Sequence, residues 1–142
     1  GLYEGNELVA CLTLRNTKDE GVYDLNRYAT SKTVVGGMSK LISHVKKHLD
    51  FEEIFTYAHL DYSSGGVYEK SGFKREHITP PGLWYFKKGY EKRQRREKFM
   101  KHKLPKLFEN VDLNKTEKEI MHENGYLRIF DAGSIRYSLT KD

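Results

Sequence analysis

Two adjacent glycines stand where an extended run gives way to a helical pattern. Residues 33 to 48 read TVVGGMSKLISHVKKH, and apolar residues recur at helical spacing after the glycines, at Met38, Leu41, Ile42, Val45 and Leu49. Glycines at such a junction form either a simple turn or a helix N-terminus whose bare backbone N–H groups can hold an anion such as a pyrophosphate. The residues alone leave both interpretations open.

The histidines and the cysteine give less evidence for a functional site than the two glycines do. His44 and His48 stand one helical turn apart, but HVKKH lacks the glutamate of a zinc-protease helix and no third ligand is evident. No Ser/His/Asp triad is recognisable, and Cys11 inside an apolar strand-like run is a poor nucleophile. We therefore expect no metal centre. Among the histidines, His59 near Asp61 is the candidate for a role in a site, with a structural hydrogen bond as the alternative.

The net charge of +5 is unevenly distributed along the chain. Residues 87 to 106 hold ten Lys or Arg against two Glu and carry +8, while the other 122 residues sum to −3. Such a segment suits the phosphate backbone of nucleic acid, and the alternative is a solvated helix face that also carries Glu91 and Glu97. The nucleic-acid hypothesis assigns phosphate contacts to Arg93, Arg95, Arg96, Lys98 and Lys101.

Composition excludes several classes of protein. A length of 142 residues allows one domain, or a domain with an appendage, and 37% hydrophobic content with three prolines is typical of a folded chain. No apolar run approaches membrane-spanning length, so we expect no membrane partner. The single cysteine excludes an internal disulfide and suits a reducing cytosol. The sequence opens directly into strand-like residues without a signal-peptide pattern, and we expect that an N-terminal part has been removed.

The first two thirds of the chain predict an alternation of strands and helices. Residues 7–15 and 21–30 predict antiparallel strands, residues 51–61 a central strand, and VYEKSG a short helix that ends at Gly72. In the second strand the alternation places Arg27 on one face with Tyr23 and Leu25. That is an odd place for a guanidinium unless it reaches a phosphate, a carboxylate or a stacked base.

The last third predicts a basic helical tail and a hairpin. After an aromatic strand within residues 78–89, the basic stretch predicts a helix from about Glu91 to near Pro105. Residues 114–125 predict another helix, with Asn114 or Thr116 as its N-cap. The final YLRIFDAGSIRYSL predicts a hairpin around residues 131–134.

The order of these elements, with GGMSKL at one junction and VYEKSGF at another, resembles the GNAT superfamily of N-acyltransferases. The resemblance implies an α/β (α+β) fold with a mixed, mainly antiparallel sheet and flanking helices. It implies truncation at the N-terminus, because a strand and two helices normally precede the first hairpin. In this superfamily one strand splays away from its neighbour, and the loop after it cradles the pyrophosphate of coenzyme A against a helix N-terminus.

The resemblance also implies where a donor would bind. The superfamily loop runs Arg or Gln, two variable residues, Gly, one variable residue, Gly or Ala, and these positions fall on Thr33, Gly36 and Met38. Gly36 matches, Thr33 lacks a guanidinium, and Met38 places a bulky side chain where backbone should approach the ligand. The implied site for acetyl-CoA or a related acyl-CoA comprises Val35, Gly36, Gly37, Met38, Ser39 and Lys40.

Three residues are candidates for the chemistry of acyl transfer. The resemblance places Tyr68 near the thiol leaving group, where a phenol can protonate the departing thiolate, and a core aromatic is the alternative. Asp24 is the only acidic residue on the strand that enters the glycine loop, the place from which relatives supply a carboxylate. Asp61, at the end of the central strand, faces the opening where ligands of α/β sheets commonly bind.

A narrower resemblance covers most of residues 22–139. LNRYATSKTVVGGMSKLI, YAHLDYSSGGVYEKSGF, PPGLWYFKKG and GYLRIFDAGSIRYSL are together similar to bacteriophage proteins, including Mom-like members of the superfamily, and to domains behind homing-endonuclease modules. This resemblance implies a phage protein in the cytoplasm of a bacterial host and action on DNA bases. It also implies a fused N-terminal domain as a partner.

Two functional hypotheses follow. In the first, residues 1–88 form an acyltransferase core that acylates an amine on a nucleobase or a protein lysine, and residues 89–142 form an appendage. In the second, the chain is a non-catalytic DNA-binding domain of a larger nuclease, and Arg27 joins the basic segment in contacting nucleic acid.

Overall fold

The computed structural model describes residues 1–89 and 92–141. They fall into two compact units: residues 1–79 together with the segment from Gly133 onward, and residues 80–132. The elements in chain order are β1 (Leu2–Glu4), β2 (Glu7–Asn16), β3 (Val22–Thr30), α1 (Gly37–His48), β4 (Glu53–His59), α2 (Gly66–Lys70), β5 (Lys74–Ile78), β6 (Leu83–Lys87), β7 (Gln94–Arg95), two 3₁₀ turns (Arg96–Phe99 and Lys101–Lys106), α3 (Glu117–Glu123), β8 (Tyr126–Phe130) and β9 (Ser134–Thr140).

The first unit is built on a mixed sheet of six strands in the order β1-β2-β3-β4-β9-β5. The β3–β4 pair is parallel and the other neighbouring pairs are antiparallel. Few and short helices accompany the sheet, so the class is α+β, as the sequence predicted. Among the described residues, no helix is long and apolar enough to span a bilayer.

The parallel strands β3 and β4 separate soon after they meet. Their ladder joins only three residue pairs, from Val22 with Glu53 to Asp24 with Phe55. Beyond that point β3 continues beside β2 and β4 continues beside β9. The buried Thr56 stands at the fork, where its hydroxyl donates a 2.9 Å hydrogen bond to the carbonyl oxygen of Leu25. A side chain thus satisfies a backbone acceptor at the place where the ladder ends.

A β-bulge in β3 changes which side chains face the core. Leu14 pairs with Leu25 but Thr13 pairs with Arg27, so Asn26 is an extra residue in β3. The bulge moves Arg27 off the face of Leu25 and places Tyr28 on that face instead. The prediction that Arg27 shares a face with Leu25 was therefore wrong: the Arg27 side chain is exposed.

Helix α1 covers the face of the sheet that Leu25 occupies. Its stripe buries Met38, Leu41 and Ile42, as the helical spacing predicted. These side chains pack against apolar residues of the central strands, chiefly Leu25, Ile54, Ala58, Ile135, Tyr137 and Leu139. Burial of an apolar side chain of this size is worth about 1.5–3 kcal/mol.

The predicted C-terminal hairpin does not form. Strand β8 pairs with β6, while β9 pairs with β4 and β5 in the other sheet. The alternating, fully buried Ile135, Tyr137 and Leu139 complete the core of the first unit, and this burial favours the central position of β9 over a local hairpin. The last strand therefore belongs to the first unit, whereas the sequence analysis had placed it in an appendage beginning at residue 89.

The second unit contains a three-stranded sheet in the order β7-β6-β8 and its own core, formed by Tyr85, Phe99, Leu104, Ile120 and Met121. The helix predicted through the basic stretch is absent from its described part, and its predicted start at Glu91 lies outside the described residues. Phe99 and Leu104 are five positions apart, which in an α-helix would separate them by about 140°. Two 3₁₀ turns joined at the extended Met100 instead allow both side chains to enter one core.

Helix α3 begins at Thr116, one of the two predicted N-caps. The Thr116 side chain accepts a hydrogen bond from the Glu119 N–H, and the Glu119 carboxylate accepts one from the Thr116 N–H. Glu117 in the first turn accepts hydrogen bonds from the Tyr85 hydroxyl at 2.9 Å and from the Arg96 guanidinium at 3.0 and 3.1 Å. Arg96 thus anchors α3 to the core of the second unit.

Tyr85, Arg96 and Glu117 form a hydrogen-bonded cluster, which we call the Glu117 cluster, and their contacts shift one another's pKa values. Burial, followed by the hydrogen bond to Glu117, raises the pKa of Tyr85 to about 12. Burial also raises the pKa of Glu117, but the hydrogen bonds from Arg96 and Tyr85 outweigh it and hold that pKa below its ordinary value of 4.5. The folded state therefore favours the Glu117 carboxylate.

Replacing Thr56 by Val tests the hydrogen bond at the fork. Thr56→Val keeps the shape but leaves the Leu25 carbonyl without its partner, so the free energy of unfolding should fall by about 1–2 kcal/mol. Thr13→Val, at an exposed position on β2, is the matched control. Urea unfolding of both variants measures the difference, and equal stability would show that the hydroxyl does not stabilise the fork.

The Glu117 cluster predicts a pH dependence of stability. Because the pKa of Glu117 is lowered in the folded state, its contribution is present above the ordinary value of 4.5 and is lost as pH falls through the lowered value. Glu117→Gln should therefore destabilise the second unit by about 1–3 kcal/mol near neutral pH, and the gap to the parent protein should narrow toward about pH 3. Fluorescence of Trp84, which lies in this unit, follows the unfolding. A gap independent of pH would contradict the cluster's role.

Candidate functional site

The N-terminus of α1 presents backbone donors beside open space. Gly36 caps the helix with a positive φ of 68°, and no side chain caps it. A Cβ built on Gly36 would meet no atom within 4 Å, so the surface next to the first turn is open. The first N–H groups of a helix have no acceptor within the helix, and they carry the positive end of its dipole. The geometry suits an anion at this end of α1.

The side chains of the predicted donor loop take different positions. Met38 is buried in the core, so its bulk points away from the open surface and leaves its backbone in the first turn. Val35 and Lys40 are exposed. Among residues 1–89 and 92–141, no acidic side chain pairs with the Lys40 ammonium, which leaves that charge available to an anionic ligand.

Tyr28 fixes the end of α1 against β3. A Cβ on Gly37 would lie 2.8 Å from the Tyr28 hydroxyl oxygen, which is too close for any residue except glycine without a shift. Tyr28 follows the bulge, beyond the point where β3 and β4 separate. The start of α1 therefore lies beside the separated part of β3.

Helix α2 is joined to the first turn of α1. The Ser39 and Ser71 hydroxyl oxygens are 3.2 Å apart, and the Ser71 hydroxyl also donates to the Val67 carbonyl oxygen at 2.8 Å. A serine has one hydroxyl proton, so Ser39 must be the donor in its pair with Ser71. This leaves the Ser39 backbone N–H, rather than its hydroxyl, to face a ligand.

Tyr68 in α2 has a packed ring and an uncommitted hydroxyl. The ring lies 5.8 Å from the Phe73 ring and 5.5 Å from the Tyr137 ring, measured between centroids. Within the described part of the chain, no residue forms a hydrogen bond with the Tyr68 hydroxyl. Its neighbour Tyr137 differs, because that hydroxyl donates to Glu69 at 2.9 Å and to the Ser64 carbonyl oxygen at 3.2 Å. The Tyr68 ring is thus held in place by packing rather than by a hydrogen bond to its hydroxyl.

Tyr137 instead positions α2. Burial, and then the hydrogen bond to Glu69, raises the pKa of Tyr137 and keeps it protonated. Gly65, which caps α2 with a φ of 80°, has an ideal Cβ position only 2.4 Å from the Tyr137 ring. Only glycine permits this approach, so the Gly65–Tyr137 contact sets where Tyr68 stands.

The two predicted carboxylates are on different elements, and Asp24 lies on the face of the sheet opposite Tyr68. Asp24 is the last residue of β3 in the parallel ladder, on the face opposite Leu25, and its carboxylate is 2.5 Å from Arg15 on β2. Asp61 is exposed in the turn after β4. The structure therefore brings Tyr68 and the α1 N-terminus to one face of the first unit and Asp24 to the other.

His59 has the structural hydrogen bond that the sequence analysis kept as its alternative. Its Nδ1 lies 3.2 Å from the hydroxyl oxygen of the buried Ser134. The rings of His44 and His48 are 4.2 Å apart on α1. Among residues 1–89 and 92–141, no group of three or more His, Cys, Asp or Glu side chains could hold a metal ion.

The predicted phosphate contacts do not form one stripe. The guanidinium carbons of Arg93 and Arg95 lie 4.8 and 5.7 Å from the centroid of the Trp84 ring. Arg96 is held by Glu117, so it has a structural role. Lys98 donates to the Gln94 side chain, and Lys101 is exposed.

Sequence reasoning missed the residues that position this site. Tyr28 gave no signal, because a bulge breaks the two-residue period of β3 just before it. Ser71 and Tyr137 act through contacts distant in sequence, with Ser39 and Gly65 respectively. Gly65 itself has a sequence signal, since it is one of two adjacent glycines directly before the predicted short helix.

Two neighbouring glycines allow a matched test of the α2 contact. Gly65→Ala must displace Tyr137 and occupy a positive φ, so it should destabilise the protein by about 3 kcal/mol or more. At Gly66 a Cβ meets nothing within 4 Å, and Gly66→Ala should be neutral or stabilise by about 0.4–1 kcal/mol. Thermal unfolding of the two variants distinguishes them, and similar midpoints would contradict the described contact.

Comparisons with known proteins agree with this geometry at the level of the fold. Neither a protein-family model nor a curated protein sequence matches the chain. A Bacillus subtilis acetyltransferase solved in complex with CoA matches at a TM-score of 0.52 and 18% identity, over 97% of this chain and 72% of that one.

Two further solved structures of GNAT-family acetyltransferases agree. One from Bacillus cereus matches at a TM-score of 0.52 and 18% identity, over 99% of this chain and 68% of that one. One from Bacillus anthracis matches at 0.52 and 15%, over 99% of this chain and 63% of that one. The chain has the fold of the GNAT acetyltransferases.

Proposed function

We propose that this chain transfers an acyl group from an acyl-CoA donor, with acetyl-CoA the first to test, to an amine. The observation that carries the proposal is the opening between β3 and β4. The chain leaves one of these strands for the donor-rich N-terminus of α1 and leaves the other for α2, which holds Tyr68. The N-terminus of α1 and the Tyr68 side chain therefore lie on the same side of one opening, which supports an anion site and a proton donor there.

The donor's pyrophosphate would bind at the first turn of α1. The N–H groups of Met38 and Ser39 and the helix dipole supply the attraction, and the Lys40 ammonium adds a positive charge, while the Gly37 N–H donates to the Val34 carbonyl oxygen at 3.2 Å. The open surface at Gly36 leaves room for the phosphates to approach the backbone. A coenzyme A ligand in the Bacillus subtilis structure of the same fold supports this class of donor.

The chemistry requires one bond to form and one to break. The amine nitrogen attacks the thioester carbonyl carbon, the new C–N bond forms, and the C–S bond breaks. The departing thiolate takes a proton from the Tyr68 hydroxyl, and the amine loses a proton to a base. Asp24 stands at the vertex of the opening on the opposite face, where an acceptor approaching from that side would meet it.

The acceptor is proposed as a nucleobase amine or a protein lysine. The similarity to Mom-like bacteriophage proteins favours a nucleobase amine, and it also underlies the proposal that the chain is phage-encoded. If the opening between β3 and β4 passes through the sheet, an acyl-CoA on the α1 face could react with an amine that approaches from the other face.

Donor binding is tested by calorimetric titration with acetyl-CoA. We expect micromolar affinity, and a decrease of roughly tenfold or more in Gly36→Ala, whose methyl group would occupy the open surface. Gly5→Ala is the matched control, since Gly5 has a similar φ of 58° and also no atom within 4 Å of its Cβ position. Equal affinities in the two variants, or no binding at millimolar acetyl-CoA, would contradict the proposed site.

The role of Tyr68 is tested separately. Tyr68→Phe should leave acetyl-CoA affinity nearly intact but slow release of the free thiol about a hundredfold or more, since the proton donor is lost while the ring remains. The release is measured with a panel of amines that includes a lysine peptide and an adenine oligonucleotide. Tyr23→Phe, in another aromatic packed against the same core, is the control. Loss of affinity and rate together would indicate a packing role.

A further inference from the structure

The outer face of the β7-β6-β8 sheet is an apolar surface with two arginines. Tyr85 and its neighbours on one face form the core of the second unit, so the alternate residues point away from it. On this outer face, pairing sets Trp84 beside Ile129, Phe86 beside Leu127, and Trp84 beside Arg95. Ile129 is 43% exposed and Leu127 is 38% exposed, so the surface faces solvent.

Trp84 is fixed within this surface. Its Nε1–H donates to an Asp131 carboxylate oxygen at 2.7 Å, and the other oxygen accepts from the Gly82 N–H at 2.6 Å. Strand pairing and this clamp hold the indole in one orientation. The Arg93 and Arg95 guanidinium carbons lie within 5.7 Å of its centroid, which places two cations on an aromatic platform.

The charge of the second unit favours an anionic polymer as the occupant. Residues 80–132 contain thirteen Lys or Arg against eight Asp or Glu, whereas the rest of the chain contains twelve of each. All of the net charge of +5 therefore belongs to this unit. An uncharged apolar partner would cover Ile129 and Leu127 but would leave the excess positive charge of this unit unmatched.

We propose that this face binds single-stranded nucleic acid, with bases stacked on Trp84 and its guanidinium groups and with phosphates paired to Arg93 and Arg95. Aromatic and guanidinium planes stack unpaired bases of any sequence, and arginines bind the backbone. The bases of a duplex are stacked on one another and cannot reach a flat sheet surface. The face thus selects single strands over duplexes.

Trp84 is the only tryptophan in the chain and therefore reports on this face directly. A single-stranded dT oligonucleotide, titrated at low salt, should quench its fluorescence, and a labelled copy should bind by anisotropy. The matched duplex should bind more weakly and quench less. Binding without quenching, equal binding of duplex and single strand, or no binding at low salt would each overturn the proposal.

Charge variants distinguish nucleic-acid binding at this face from nonspecific electrostatic attraction to the basic segment, residues 87–106. Arg93→Gln with Arg95→Gln should weaken binding roughly tenfold or more and reduce the slope of log affinity against log salt by about 1.4. Lys101→Gln with Lys106→Gln removes two exposed charges of the same segment and should weaken binding much less. Equal losses in the two double variants would overturn the proposal.

Aromatic variants test stacking. Trp84→Phe keeps a ring and should retain most of the affinity, while Trp84→Ala should lose roughly tenfold or more. Arg128→Gln is a control on the opposite face, where this guanidinium lies 5.3 Å from the Phe130 ring centroid. Circular dichroism confirms that each variant is folded. A larger loss in Arg128→Gln than in Trp84→Ala would assign binding to the opposite face.

Discussion

Strands β3 and β4 share a ladder for only three residue pairs, and the geometry of the candidate site depends on where that ladder stops. If the parallel pairing continued, β3 and β4 would close the sheet and no ligand could enter between them. The Thr56 hydroxyl bonds the Leu25 carbonyl oxygen at the fork, so the strands separate without leaving that buried backbone acceptor unpaired. The separation of the two strands is therefore stabilised by a specific hydrogen bond and is part of the folded structure.

The bulge at Asn26 lies directly after the fork along β3, and it changes which side chains of β3 face helix α1. By adding one residue to β3, it places Tyr28 on the α1 face, where a Cβ at position 37 would lie 2.8 Å from the Tyr28 hydroxyl oxygen. The first turn of α1 is thereby held beside the separated strand, and the Ser39–Ser71 hydrogen bond extends the arrangement to α2. The positions of the α1 N-terminus, where we propose an anion site, and of Tyr68 therefore depend on how the two strands separate.

The sequence could predict those features of the fold that depend on local pattern. The apolar stripe of α1, the strands β2, β3 and β4, the short α2 ending at Gly72 and the cap at Thr116 all have signals within a few residues. The class of fold followed from the order of these elements. The final hairpin and the basic helix were wrong because distant contacts decide them. Buried Ile135, Tyr137 and Leu139 draw β9 into the central sheet, and Phe99 and Leu104 must both enter one core.

Only those parts of the candidate site that depend on local sequence could be predicted. The glycines at residues 36 and 37 and the VYEKSGF segment signal backbone geometry locally, whereas the ion pair of Asp24 with Arg15 and that of Arg96 with Glu117 depend on register and tertiary packing. A two-residue period cannot reveal a bulge, so Arg27 was predicted on the face of Leu25 that Tyr28 occupies in the structure. The register between strands that are distant in sequence could not be predicted from the residues alone.

The central claim is that the first turn of α1, at the opening between β3 and β4, holds the phosphates of coenzyme A. The most direct measurement is the set of backbone ¹⁵N–¹H chemical shifts during titration of the full chain with coenzyme A. The account predicts that the amides of Met38 and Ser39 shift most, with saturation at a common dissociation constant. Shifts confined to the basic residues of the second unit, with those two amides unmoved, would contradict it.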